Sequence, residues 1–307
     1  MIDNGSNDNS VQLIKEKFTK IKLVILKENL GFAGGYNEGL KQLNHEYFII
    51  VNSDIEVTEN WIPPIINLLE SSNEIAAVQP KVLNYNKKEE FEYAGAAGGF
   101  IDLFGYPFCR GRLFYNVEQD KSQYNNNLEI FWSSGACMAI KARDFNLVNG
   151  FDFDFFAHME EIDLCWRLKN QGKKIMFCHE SKVYHVGGGT LNYNSPQKTY
   201  LNYRNNLYMI HKNFKGKTPL WLIILIRIIL DQISGLRFIF EGTSKNILEI
   251  QRAHLHYFYQ IKKTQKKREK IQKYPINLMK GVLKTLLIWE FFIKKKHFFS
   301  EIKKTNG

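Results

Sequence analysis

Three short apolar runs rich in β-branched residues, separated by stretches with helical spacing, set the fold class of this chain. Ile21-Lys22-Leu23-Val24-Ile25-Leu26 reads as a buried strand and Tyr47-Phe48-Ile49-Ile50-Val51 as a second. Ala76-Ala77-Val78-Gln79-Pro80 reads as a third, stopped by its proline. Helical patterns lie between them, one through Leu40 and Leu43 and one over 61–69 with Pro63-Pro64 in its first turn. This alternation predicts an α/β domain with a mainly parallel sheet flanked by helices. Residues 84–128, crowded with glycines and aromatics, predict a long irregular loop or a small antiparallel excursion. Strands are expected again at 130–132 and 136–140, a helix over 160–170 stopped by Gly172, and strands at 174–178 and 183–186.

Charge divides the chain. Beyond residue 215 there are 19 Lys/Arg and 6 Asp/Glu, a net +13, whereas residues 1–215 carry −2. A near-neutral body with a basic last third predicts a catalytic or binding domain that touches an anionic surface. The apolar stretch 219–240 contains Arg227, Asp231 and Arg237. Each charge costs about 2.5–3.5 kcal/mol at the centre of a membrane helix, so a simple span is disfavoured. The basic run 261–273, and Trp289 and Phe291-Phe292 beside Lys294-Lys295-Lys296, suit interfacial helices lying on an anionic membrane. A solvated basic hairpin packed on the body is the alternative. The Leu/Ile-rich texture fits lipid better than stacked bases, so no nucleic acid partner is expected. Two regions follow, 1–210 as the α/β domain and 211–307 as a basic amphipathic helical region.

Cys109, Cys137, Cys165 and Cys178 form no CxxC pair, which predicts reduced, buried thiols. The polar opening Met1-Ile2-Asp3-Asn4 carries no signal-peptide pattern, and a cytoplasmic location is expected.

Four constellations could carry chemistry. The Gly-rich stretch 29–37 lies between a strand and a helix, where backbone can approach a phosphate closely; a plain tight turn explains it equally well. Asn52-Ser53-Asp54 ends a strand, the edge where ligands of open α/β sheets collect. A carboxylate there can hold a divalent cation on a substrate diphosphate, or simply serve the turn. Glu160-Glu161-Ile162-Asp163, followed by Arg167, places like charges together, which raises a carboxylate's pKa and suits a general base. The alternative is a solvated first turn complementing the helix dipole, but Phe153, Phe155, Phe156, Met159 and Trp166 make the setting apolar. His185, beside the run Gly187-Gly188-Gly189, is a metal ligand or a structural histidine.

In this order, the strings IDNGSNDNS (2–10), NLGFAGGYNEGL (29–40), IIVNSDIEV (49–57), WSSGACMAI (132–140), NGFDFDFFAHMEEIDLCWRLKNQGKKI (149–175) and VYHVGGGT (183–190) resemble the inverting glycosyltransferases of family 2. The closest likeness is to the rhamnosyltransferase-like branch, and it covers roughly residues 1–210. The resemblance implies a GT-A fold and sugar transfer from a nucleotide donor to a surface-polysaccharide or lipid-linked glycan acceptor, with Mg²⁺ or Mn²⁺ as cofactor. It implies peripheral attachment to the inner face of the cell membrane, leaves the oligomeric state open, and gives rhamnose only as the sugar of the branch most resembled. Residue by residue, it implies nucleotide binding by Asp3, Gly34, Gly35, Asn37 and Asn52, and metal binding by Asp54 and His185. Trp132, Ser134, Gly135, Ala136 and Arg167 would line the substrates. Glu161 inherits the catalytic base, with Glu160 or Asp163 as alternatives. Family members have a strand, a helix and a second strand before the Asp-Asn-Gly-Ser segment. Here Met1 falls inside that second strand, about 30 residues short. A non-catalytic remnant retaining nucleotide or membrane binding is the rival reading.

Overall fold

The computed structural model describes residues 1–187, 195–240 and 243–302. Gly188, Gly189 and Thr190 of the expected glycine run, and the side chain of Arg237, lie outside the described residues. The chain enters through β1 (Ile2–Asp3), α1 (Ser10–Lys17) and β2 (Val24–Ile25), and β1 pairs with β2 in parallel. Next come α2 (Gly31–Leu40), β3 (Tyr47–Val51), β4 (Ile55–Val57), α3 (Ile62–Glu70) and β5 (Ile75–Asn84). The glycine-rich stretch is thus helical from Gly31 onward, so Gly34, Gly35 and Asn37 sit inside α2 and not in a loop. Close packing explains a helix made of such poor helix formers. A Cβ on Gly39 would lie 2.1 Å from Ile2 Cδ1, so only glycine lets α2 rest directly on β1.

The 84–128 stretch is the antiparallel excursion: β6 (Gly99–Asp102), β7 (Pro107–Cys109), β8 (Arg112–Leu113) and β9 (Asn116–Val117) pair in succession. The chain then re-enters the main body as β10 (Leu128–Ile130), β11 (Cys137–Lys141), α4 (Ala142–Leu147), α5 (Glu160–Asn170) and β12 (Lys174–His185). The central sheet has the order β10-β12-β5-β11-β3, with β4 paired to the far end of β12. Only β5 and β12 run parallel in it. The sheet is therefore mixed, not mainly parallel. β10 and β11 are reached from the excursion without a helical crossover, and nothing forces them parallel to their neighbours. Pro80 does not stop β5. Its missing N–H lies beyond the Val78 pairing with β11, and beside the bulge between Cys178 and Lys182. Across that bulge the two strands expected at 174–178 and 183–186 are one.

Phe100, Phe108, Phe131, Trp166 and Phe291 are fully buried in the main core, which joins the central sheet to the excursion. Ile65 and Leu69 of α3 form a second cluster with Val78 and Ala139. All four cysteines are buried and unbonded.

The last third is α6 (Pro196–Asn213), α7 (Leu220–Phe240), α8 (Lys245–Tyr259), α9 (Ile261–Lys270) and β13 (Val282–Leu283). α6 runs across the boundary expected at residue 210. After Lys270 the long helices give way to a return path, in which β13 pairs in parallel with β6. Leu287 N–H donates to Asp102 Oδ2 (3.0 Å) and Phe299 N–H to Glu118 Oε1 (2.8 Å). No helix among the described residues is long and apolar enough to cross a membrane.

Candidate active site

Glu161 lies against the segment 134–136, which ties it through a chain of contacts to the ends of β3 and β12. Gly135 is the nearest: a Cβ there would meet Glu161 Cβ at 3.6 Å and the Phe32 ring of α2 at 3.1 Å. Ala136 C=O accepts from Asn52 N–H (2.9 Å), which sets the end of β3 beside this segment. Ser134 Oγ donates to Ala94 C=O (2.6 Å), and Ala94 N–H donates to Glu92 (2.6 Å). Glu92 in turn lies 3.3 Å from His185 Nδ1, while His185 Nε2 lies 3.2 Å from Asp54 Oδ1. Asn52, Asp54, Ser134, Gly135, Ala136, Glu161 and His185 thus belong to one contiguous patch.

Glu160 and Glu161 open α5, and each keeps one carboxylate oxygen, Oε2, buried without a hydrogen-bond partner. Burial raises the Glu161 carboxyl to about 7, against opposing backbone hydrogen bonds. Burial and then the Glu161 charge push Glu160 well above the ordinary range. Glu161 thus titrates near neutrality, a condition that suits a general base.

Asp163 is different. It is fully buried and accepts from Arg167 Nε (2.8 Å), Lys212 Nζ (2.9 Å) and Asn213 Nδ2 (2.8 Å), tying α5 to α6. It has no free lone pair to serve as a base. Arg167 Nε donates to Asp163 and Nη1 to the Val148 carbonyl, while Nη2 is buried without a partner. Trp132 is withdrawn: its indole N–H donates to Phe100 C=O (2.8 Å) and its ring lies against Gly99 in the core.

The expected nucleotide-side residues split similarly. Asn37 exchanges both hydrogen bonds with the Phe151 backbone (2.8 and 3.0 Å), clamping α2 to the loop before α5. Gly34 and Gly35 pack against Phe153 and Asn4, at positions where a Cβ would lie 2.7 and 3.0 Å from those side chains. Asp3 is buried at the end of β1, and its carboxylate accepts from Ser6 N–H (3.3 Å).

The loop that presents Glu160 and Glu161 is held under strain. Phe156, His158 and Met159 all have positive φ, at 64°, 68° and 70°. Such non-glycine residues cost about 1–3 kcal/mol each and persist only where their surroundings impose them. Here α6 does so. Asn205 Nδ2 donates to the carbonyls of Phe155, Ala157 and His158 (2.8–2.9 Å), and Arg204 donates to those of Asp154 and Phe155. Lys212 and Lys267 both pair with Asp152 at the start of the loop.

Two residues escaped sequence reasoning. Glu92 sits in the excursion, remote in sequence from Asp54 and His185, with no spacing signal to mark it. His158 lies inside a quoted motif but has no acid or base pattern around it. Burial, then Lys198, lowers it to about 4, and its Nε2 has no partner, so it is a neutral imidazole beside the acid pair.

Asp54 and His185 are the residues that could hold a cation. Among the described residues no group of three His, Cys, Asp or Glu forms a complete metal cage. One carboxylate and one imidazole facing each other leave most of an octahedral shell to substrate oxygens, which is how Mg²⁺ and Mn²⁺ sit on diphosphates. Burial opposes protonation of His185, but Glu92 and Asp54 outweigh it and raise its pKa.

A mixed central sheet with an acid pair at a helix start beside the ends of β3 and β11 defines a GT-A type transferase fold. The glycosyl transferase family 2 model matches residues 1–143, just under half of the chain. The chain is similar to N-acetylglucosaminyl-diphospho-decaprenol L-rhamnosyltransferase of Mycobacterium tuberculosis, 22% identical over 60% of this chain and 65% of that one. It is similar to the rhamnosyltransferase WbbL of Escherichia coli, 35% identical over 46% of this chain and 52% of that one. The chain thus spans about half to two thirds of these relatives. A crystal structure of GalNAc-T7 with UDP, GalNAc and Mn²⁺ shares the fold, with a TM-score of 0.54 and 17% identity over 70% of this chain and 41% of that one.

Proposed function

We propose that the chain transfers a sugar, rhamnose by the names of its relatives, from a nucleoside-diphosphate donor to a lipid-linked glycan, with inversion at the anomeric carbon. The observation that carries this is the Glu161 carboxylate, raised to about 7, with one unpaired oxygen, lying against Gly135. In a single displacement Glu161 takes the proton of the acceptor hydroxyl as that oxygen attacks the sugar. Asp54 and His185 would hold Mg²⁺ or Mn²⁺, which neutralises charge on the departing diphosphate. Asp3, Gly34, Gly35 and Asn37 would act on the nucleotide side by shaping α2 and its flank, and Asn52 from the end of β3. Ser134, Gly135 and Ala136 would border the donor sugar. The relatives' names, and the +13 charge beyond residue 215, support action at the cytoplasmic membrane surface with residues 211–307 as the attaching part.

The test is thermal melting with UDP, dTDP and GDP, each with and without Mn²⁺. A ligand of the folded state at a hundredfold excess over its Kd adds about 2.7 kcal/mol of stability. A Mn²⁺-dependent rise with one nucleotide, retained in Glu161→Gln while sugar transfer is lost, is the expected result. No rise with any nucleotide, from a chain that melts cooperatively, overturns the reading and leaves the remnant alternative.

A further inference from the structure

α7 is built inside out. Its charged residues Arg227 and Asp231 are buried at 4% and 3% exposure. Arg227 Nη2 pairs with Asp231 at 3.3 Å, Asp231 also meets His254 Nε2 at 3.1 Å, and the Arg227 guanidinium stacks on the Tyr106 ring. The outward face instead carries Trp221, Leu225, Ile229, Ile233 and Leu236, each 46–67% exposed. An ordinary surface helix shows the opposite polarity.

The neighbouring helix continues this surface. Exposed Gln232 of α7 accepts from exposed Gln251 of α8 (2.6 Å), so the two helices meet on their solvent side. Leu225, Ile229 and Leu236 share helical registry with Gln232, and Leu248, Leu255 and Phe258 share it with Gln251. Leu248 and Leu255 are about 70% exposed. The exposed Gln232–Gln251 pair, with Gln232 also 3.2 Å from His254 Nδ1, has its polar atoms engaged across the seam and lies among apolar side chains.

We propose that this α7–α8 face docks on an anionic lipid bilayer, lying in its interface without crossing it. The charge pattern selects the occupant. Lys215 and Lys217 stand exposed before α7, Arg252 on α8 itself, and Lys262, Lys263 and Lys266 just after it. The acids of α7 and α8 among the described residues are Asp231, which is buried, and Glu249, which pairs with Arg252. Two copies placed face to face would oppose two strongly basic surfaces, whereas anionic headgroups complement them and acyl chains take the apolar stripe. The inference deepens the proposed membrane-side reaction. It rests on that reading for its purpose and on the helix faces for its physics.

The test is flotation of the full chain with phosphatidylcholine vesicles, with and without phosphatidylglycerol, alongside sedimentation in solution. The wild-type chain is expected to float with the anionic vesicles, less so in high salt. Ile229→Glu with Leu255→Glu, both exposed and so neutral to folding, is expected to cut binding at least about tenfold at unchanged melting temperature. Wild-type protein that stays at the bottom, a double variant that floats equally well, or a dimer that the double variant dissociates overturns the proposal. The nucleotide-dependent melting shift is read on the same samples. Loss of flotation with that shift intact sinks the docking alone, and the converse sinks the transferase reading alone.

Discussion

Replacing Glu161 by Gln should abolish transfer and, above neutral pH, make the protein more stable. The reasoning is a linkage. Glu161 rises from its ordinary 4.5 in the unfolded chain to about 7 in the fold. A raised carboxyl binds its proton more tightly when folded, so the stability it contributes is complete below about 4.5 and is lost as the pH climbs through 7. At about 1.36 kcal/mol per pH unit that climb corresponds to a few kcal/mol; partial exposure screens some of it and leaves about 2–3 kcal/mol. Glutamine has the same shape and no charge, so it escapes this cost. Melting of both proteins at pH 5 and pH 8.5 reads the effect of the Glu161 charge, including the rise it imposes on Glu160. The variant should match wild type to within about 1 kcal/mol at pH 5 and melt about 5 °C higher at pH 8.5. A difference that does not change between the two pH values would refute the reading that burial in the fold raises the Glu161 carboxyl.

Other outcomes follow from the same geometry. Asp163→Asn strips Arg167 and Lys212 of a shared buried carboxylate and should lower stability by about 3 kcal/mol in urea titration. Asn205→Ala removes the donor from three loop carbonyls; a loss of about 2–4 kcal/mol is expected, with faster amide exchange confined to residues 155–160. Glu92→Gln should weaken Mn²⁺ binding about 10–100-fold by calorimetry, since the carboxylate orients His185. In the wild-type chain Mn²⁺ affinity should fall as the pH drops below neutrality, because the raised His185 pKa makes protons competitors there.

How much of this was legible in the sequence depended on whether the deciding contact was local. α5 begins and ends where the acidic and apolar pattern places it, because its start and its stop at Gly172 lie within one stretch of chain. β3 is read equally well from its own five residues. The helical pattern through Leu40 is legible, but its start at Gly31 is not, because glycine is a poor helix former and what favours it there is close packing against Ile2, Asn4 and Phe153. Asp163 and Glu161 look interchangeable in the string, and what separates them is Lys212 and Asn213, nearly 50 residues on. In the sequence the α7 charges read as obstacles to a membrane span. Only the helix orientation shows that Arg227 and Asp231 face inward, towards Tyr106 and His254.

The pairing of β13 with β6 dictates the order in which the protein can be completed. Asp102 finds local partners for one oxygen in the backbone of Phe104 and Tyr106, but its other oxygen waits for Leu287, 185 residues later. Glu118 likewise waits for Phe299, 181 residues later. At about 5–20 residues per second, synthesis leaves these buried carboxylates half-satisfied, and the edge of β6 open, for about 10–40 s on the ribosome. During that interval the excursion sheet is a template for wrong pairing. The final twenty residues described, 283–302, therefore act as the closing clasp of a sheet made long before them, and yield of folded protein should track how quickly they arrive.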